Sequence, residues 1–129
     1  MTLSKGSWGC ESVSETLIAL AGPDETRAAQ LIVLAALWHD ELAAKFARHI
    51  KSELFDDDLL HTIAEYSVGS MATFGVTDLQ TIERLLRLNF TDLAVTITTA
   101  TIHKIVELIE VDDVRNAIKM LSNTARAAA

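Results

Sequence analysis

Apolar residues recur at three- and four-residue steps along most of this chain, which is the spacing of one face of an α-helix. Residues 28–54 carry this pattern without a Gly or Pro. They predict either one long helix or two helices with a break near His39 and Asp40. The same spacing predicts further helices over residues 12–21, 59–74, 79–90 and 114–121.

Short polar residues stand where the predicted helices begin. Residues 12–15 and 77–80 have the spacing of a capping box, in which the side chains at the two ends cap each other's backbone N–H groups. Asp24 and the run 56–58 provide carboxylates that cap helix N-termini well. Gly75 follows the helix predicted over 59–74 and is expected to terminate it. The sequence therefore predicts an all-α domain of about six helices, joined as helical hairpins.

Residues 95–106 are ambiguous because nine of the twelve are β-branched, which favours a strand in isolation. The surroundings are helical, and the apolar spacing from Ile102 to Ile109 is helical too. We therefore expect a turn at residues 98–99, followed by a helix.

With that turn, residues 91–108 fit either a DNA-binding helix-turn-helix or a helical hairpin that builds the fold. A recognition helix normally presents Arg, Lys, Asn or Gln to base edges. The second helix here offers only His103 and Lys104 before Glu107. This composition favours the structural hairpin.

Composition narrows the class of protein. Half of the 129 residues are hydrophobic and 22% are charged, which indicates one folded domain. The net charge of −7 makes autonomous nucleic-acid binding weak, because phosphate neutralisation supplies most non-specific affinity. The longest apolar run, residues 31–38, is too short to cross a bilayer, and no secretory signal is visible. We expect a cytoplasmic protein without membrane contact.

Residues with catalytic or metal-binding chemistry are sparse. No two of the four histidines are four residues apart, so no helical zinc site is predicted. His49 precedes Glu53 by four residues, as His61 precedes Glu65, and such pairs are typical of a helix surface. Cys10 has no nearby His to activate it and no second Cys with which to form a disulfide. We expect no catalytic residue, no metal and no cofactor.

A mostly apolar pattern spans residues 57–116. It comprises Leu59, Leu60, Ile63, the segment 86–88, the turn 89–91, Ala94, Thr96, Thr101 and the segment 102–110. This pattern resembles FlhD, a subunit of the flagellar master transcription activator, and the relatives of FlhD on conjugative elements.

The resemblance implies an all-α subunit that forms a homodimer or higher homo-oligomer through intertwined helices. It also implies an FlhC-like partner that makes much of the DNA contact. The family's interchain cysteine falls near Asn116, so we expect no covalent dimer. Residues 1–55 are interpreted as an N-terminal helical extension of the FlhD-like region 56–129, and we expect both to form one compact folding unit.

We therefore interpret the chain as a non-catalytic oligomeric subunit of a transcription-regulating complex that reaches DNA mainly through its partner. The packing or interface positions that we predict are Leu59, Ile63, Leu85, Leu86, Ile102, Ile105 and Leu108. If the FlhD-like region 56–129 contacts DNA phosphates, its Lys and Arg residues have to make those contacts. These residues are Arg84, Arg87, Lys104, Arg115, Lys119 and Arg126.

Two alternatives stay open. The segment from Trp38 to His49, with Tyr66 and Gly69 after it, resembles the carboxymuconolactone decarboxylases. That resemblance would imply a small oligomeric helical enzyme with His49 as its proton-transfer group, although the His spacing differs from that family. The second alternative is an adaptor or antagonist that binds a regulator without touching DNA.

Overall fold

The structure, a computed structural model, describes residues 25–128, except for the side chains of residues 25, 52 and 124–128. These residues form six α-helices and no strand, so the predicted all-α class is confirmed for this part of the chain. The helix predicted over 12–21 and the cap at Asp24 lie outside the described residues. The helices are α1 (Glu25–Trp38), α2 (Asp40–Phe46), α3 (Asp58–Phe74), α4 (Leu79–Asn89), α5 (Asp92–Val106) and α6 (Val111–Ala128).

Helix α1 lies at the centre of the domain. Every residue from Ala28 to Leu37 is buried, and α2, α3, α5 and α6 all contact this helix. A helix that is apolar on all sides needs such surroundings, because no face of it can be left in water at low cost. Its one buried polar residue, Gln30, donates hydrogen bonds from Nε2 to the Leu54 carbonyl at 3.3 Å and to Asp56 Oδ1 at 3.1 Å. The predicted extension therefore contributes the central helix of the core.

The chain breaks between α1 and α2 at His39, which confirms the two-helix alternative. The His39 backbone is extended, and its Nδ1 accepts hydrogen bonds from the backbone N–H groups of Glu41 and Leu42 at 3.2 and 3.3 Å. These donors have no partner inside the helix, so the imidazole caps α2. Two 3₁₀ turns, Ala47–His49 and Ser52–Leu54, then lead to α3.

The predicted ends of α3 and the predicted start of α4 are confirmed, whereas the residue that caps α4 differs by one position. Asp57 caps α3 by accepting a hydrogen bond from the Leu60 N–H, and Gly75 ends it with a left-handed φ of 76°. Asp78, and not Thr77, caps α4 by accepting from the Thr81 N–H. Thr77 instead donates from Oγ1 to the Leu37 carbonyl at 2.7 Å and ties this loop to α1.

The predicted turn at residues 98–99 is wrong, because α5 is one continuous helix. Residues 91–108 therefore do not form the helix, turn and helix considered from sequence. The hydroxyl of Thr99 donates to the Thr96 carbonyl at 3.2 Å, and that of Thr101 to the Ile97 carbonyl at 2.9 Å, so they bond within the helix. Burial of the face that includes Ile102 outweighs the weak helix propensity of β-branched residues.

Candidate protein-interaction surface

Three large apolar side chains project from the hairpin formed by α4 and α5. Leu88 on α4, and Leu93 and Ile97 on α5, are 57–76% exposed, and we call them the hairpin row. Phe74, at the end of α3, and Val76, in the loop before α4, are also exposed. Large apolar groups grouped along consecutive surface elements are typical of protein-interaction sites.

The core accounts for the outward direction of the hairpin row. Helix α4 contacts α3 and α5 and buries Ile82 and Leu86, one turn apart, which leaves Leu88 on another face. Helix α5 buries Val95 and Ile102 against the domain. Its Leu93 and Ile97 are four residues apart and share an outer face.

The seven predicted packing or interface positions occupy two environments. Ile63, Leu86, Ile102 and Ile105 are fully buried, while Leu59 and Leu108 are half-buried against the same core. Only Leu85 is exposed, at 36%. Six of the seven therefore pack within this chain. The sequence analysis did not identify the hairpin row. The sequence nevertheless shows two apolar faces on α5, one with Leu93 and Ile97 and the other with Val95 and Ile102.

The predicted phosphate contacts are spread over three helices. Arg84 and Arg87 are exposed on α4, Lys104 on α5, and Arg115 and Lys119 on α6. The side chain of Arg126 lies outside the described ones.

Two of these arginines have acidic neighbours. Arg87 Nε lies 3.7 Å from Asp92 Oδ1, and Arg115 Nη1 lies 3.3 Å from Asp112 Oδ1. The predicted phosphate contacts are thus dispersed, and two of them are partly compensated by acidic neighbours.

The histidines have separate structural environments. The His103 ring packs against Trp38 with centroids 5.0 Å apart, and Trp38 Nε1 donates to Ser67 Oγ at 3.0 Å. His61 Nδ1 lies 3.5 Å from Glu65 Oε1, as the four-residue spacing predicts, and His49 is exposed on a 3₁₀ turn. Within residues 25–128, no three His, Cys, Asp or Glu side chains gather in a way that could hold a metal ion.

A groove of about 350 Å³ lies between α3 and α4, and we call it the α3–α4 groove. Its largely apolar lining includes Tyr66, Gly69, Phe74, Ile82 and Leu85, together with the acidic residues Glu65 and Asp78. A second cavity, of about 330 Å³, lies beside Trp38 and His39.

Two carboxyl groups have displaced pKa values. Hydrogen bonds from the Thr81 hydroxyl and N–H lower the pKa of Asp78, because they favour its charged form. Burial raises the pKa of Asp113, in the first turn of α6, to about 6. Asp113 Oδ2 accepts from the Glu110 N–H at 2.8 Å, while its buried Oδ1 has no partner among the described residues.

Comparison with family models, with curated proteins and with solved structures gives no match for this chain. None of the helices in residues 25–128 has both the length and the apolarity that crossing a membrane requires.

Proposed function

We propose that this chain is a non-catalytic oligomeric subunit of a transcription-regulating complex and acts through protein–protein assembly. The exposed hairpin row carries the assembly part of the proposal. The resemblance of residues 57–116 to FlhD supports the kind of complex, and the row lies inside that segment.

The hairpin row suits contact with a second copy of the chain. Two chains that each carry a net charge of −7 repel, so their contact needs an electrically balanced surface. Arg87 and Asp92 lie close together beside the row and compensate each other's charge. The apolar side chains lose contact with water on association, which favours a dimer.

Contact with DNA falls mainly to a partner protein in this proposal. The exposed cations of α4, α5 and α6 are outnumbered in the whole chain, where 18 acidic residues face 11 basic ones. A duplex repels such a chain except where local cations face its phosphates. An FlhC-like or other basic partner would supply the missing positive charge.

The assembly proposal predicts that the purified chain sediments as a dimer or higher oligomer. Leu88→Glu and Leu93→Glu are expected to weaken self-association by at least about tenfold, because each places a charge in an apolar contact. Ala44→Glu, which adds the same charge at an exposed position of α2, should leave association unchanged. A wild-type chain that stays monomeric at every accessible concentration in analytical ultracentrifugation would contradict the proposal.

If a partner protein makes most of the DNA contact, the chain alone should bind DNA weakly and with little sequence preference. Titrations of labelled duplex should show binding that disappears as salt rises, since only a few cations are available. Addition of the natural partner, recovered by affinity capture from the host, should tighten the complex and make it sequence-specific. Tight, sequence-specific binding by the pure chain would show that it reads DNA itself.

A further inference from the structure

We propose that the α3–α4 groove docks an amphipathic helix of a partner protein that carries Lys or Arg beside bulky apolar anchors. This inference deepens the proposed assembly function and rests on it. None of the three residues of the hairpin row lines the groove, although Leu85 of the lining lies about one turn before Leu88 on α4. The groove lining carries two acidic residues, whereas Arg87 and Asp92 balance each other beside the row, so the two surfaces suit different occupants.

The floor of the groove is largely apolar, and the hydroxyl groups of Ser70 and Thr81 in its lining are already paired. Ser70 Oγ donates to the Val76 carbonyl at 2.7 Å and accepts from the Asp78 N–H at 2.8 Å. Thr81 Oγ1 donates to Asp78 Oδ2 at 2.8 Å. Because these groups are already paired, apolar side chains can cover the floor without leaving them buried and without a hydrogen-bond partner.

Gly69 shapes the groove by leaving out a side chain. It lies within α3, where a Gly costs helix stability, and a Cβ built on it would meet no atom within 4 Å. The space above it is therefore open. Tyr66 and Phe74 stand along the same lining and offer aromatic surface to an incoming side chain.

Charge selects the kind of occupant. Glu65 and Asp78 line the groove, whereas no Lys or Arg does so among the described residues. Hydrogen bonds from Thr81, and to a smaller extent the charge of Arg84, lower the pKa of Asp78 and favour its charged form. A helix with apolar anchors at three- and four-residue steps and flanking cations complements this lining in both shape and sign.

The size of the groove supports side-chain anchors over a buried cofactor. Its volume of about 350 Å³ is near the lower end of the roughly 300–1,000 Å³ common for small-molecule pockets. Its lining is also mostly apolar, which suits hydrophobic side chains better than a polar ligand. One or two apolar side chains from a helix laid along α3 and α4 would fill it.

The test uses the full chain and two synthetic helical peptides with the same Leu and Phe anchors. One peptide carries Lys and Arg on its flanks, and the other carries Glu at those positions. Fluorescence anisotropy should show that the basic peptide binds at least about tenfold more tightly than the acidic one. Its affinity should fall as salt rises, because the exposed carboxylates are screened.

Two variants locate the binding site, each with a matched control. Gly69→Leu fills the groove and should weaken the basic peptide by at least about tenfold, whereas Ala44→Leu adds apolar bulk on the exposed side of α2 and should not. Glu65→Gln removes a lining charge and should weaken the same peptide, unlike Glu41→Gln on α2. If Gly69→Leu fails to fold, as judged by circular dichroism, Glu65→Gln decides the result.

Each remaining outcome overturns the proposal. Equal binding of both peptides, or binding unaffected by Gly69→Leu and Glu65→Gln, would show that the groove does not select a basic helix. Dissociation of the homo-oligomer by Gly69→Leu would assign the groove to a second copy of this chain. Sedimentation distinguishes the docking proposal from the assembly proposal. If the chain remains an oligomer but does not distinguish the two peptides, only the docking site is contradicted.

Discussion

Leu34→Ala is expected to lower the free energy of unfolding by about 3 kcal/mol, within a range of roughly 2–5 kcal/mol. Leu34 is 0% exposed and lies in the middle of α1, which α2, α3, α5 and α6 surround. Truncation removes apolar contacts and leaves a cavity that four neighbouring helices can close only in part. Urea denaturation followed by circular dichroism measures the change.

Leu88→Ala is the matched control, because the same atoms are removed from a side chain that is 76% exposed. At protein concentrations where the wild type is monomeric, its cost should stay below about 0.5 kcal/mol. At higher concentrations the cost of Leu88→Ala should grow, because the proposed oligomer buries the hairpin row. The cost of Leu34→Ala should not depend on concentration in this way, because Leu34 is buried within one chain. Equal costs for the two variants in the monomer would contradict the central position of α1.

The central position of α1 also changes how the FlhD resemblance is applied. That resemblance covers residues 57–116, yet the helix that fills the middle of the core precedes it in the chain. Core residues of α3, α5 and α6 belong to one cluster with α1. Residues 57–116 therefore pack around a helix, α1, that lies outside the segment resembling FlhD.

The helix boundaries that the sequence predicted well depend on short-range hydrogen bonds. Asp57 and Gly75 act within one turn of the helix that they delimit, so the residue type alone carries the information. The cap of α4 was placed one residue early, at Thr77, because a Thr hydroxyl can also cap a helix; here that hydroxyl donates to the Leu37 carbonyl instead. A contact across 40 positions cannot be read from a four-residue motif.

The turn predicted in α5 failed for a different reason. Helix propensities differ by only a few tenths of a kcal/mol among ordinary residues, so the packing of Val95, Ile102 and Ile105 decides the backbone. The hairpin row was missed for a related reason. Periodicity identifies an apolar face, but only the position of neighbouring helices determines which of two apolar faces remains in water.

Asp113 should make the fold less stable at neutral pH than at mildly acidic pH through its own titration. Its ordinary pKa of 3.8 rises to about 6 in the fold, because burial disfavours the carboxylate and the charges of Glu110 and Asp112 act in the same direction. The folded state therefore holds this proton more tightly than the unfolded state does. The resulting stabilisation is complete below about pH 4 and is lost as the pH rises through about 6.

Asp113→Asn should therefore be more stable than the wild type at pH 7, by up to about 3 kcal/mol, which corresponds to a pKa difference of about two. The two proteins should have similar stability below about pH 4, where Asp113 is protonated and, like Asn, uncharged. Other carboxyl groups, including Asp78 with its lowered pKa, titrate in both proteins and cancel in the difference.

Asp58→Asn provides the control, since Asp58 is an exposed carboxylate in the first turn of α3. Its effect on unfolding should stay within about 0.5 kcal/mol across the same pH range. Parallel stability curves for Asp113→Asn and the wild type between pH 4 and 7 would mean that Asp113 is hydrated in solution and does not hold its proton in the fold.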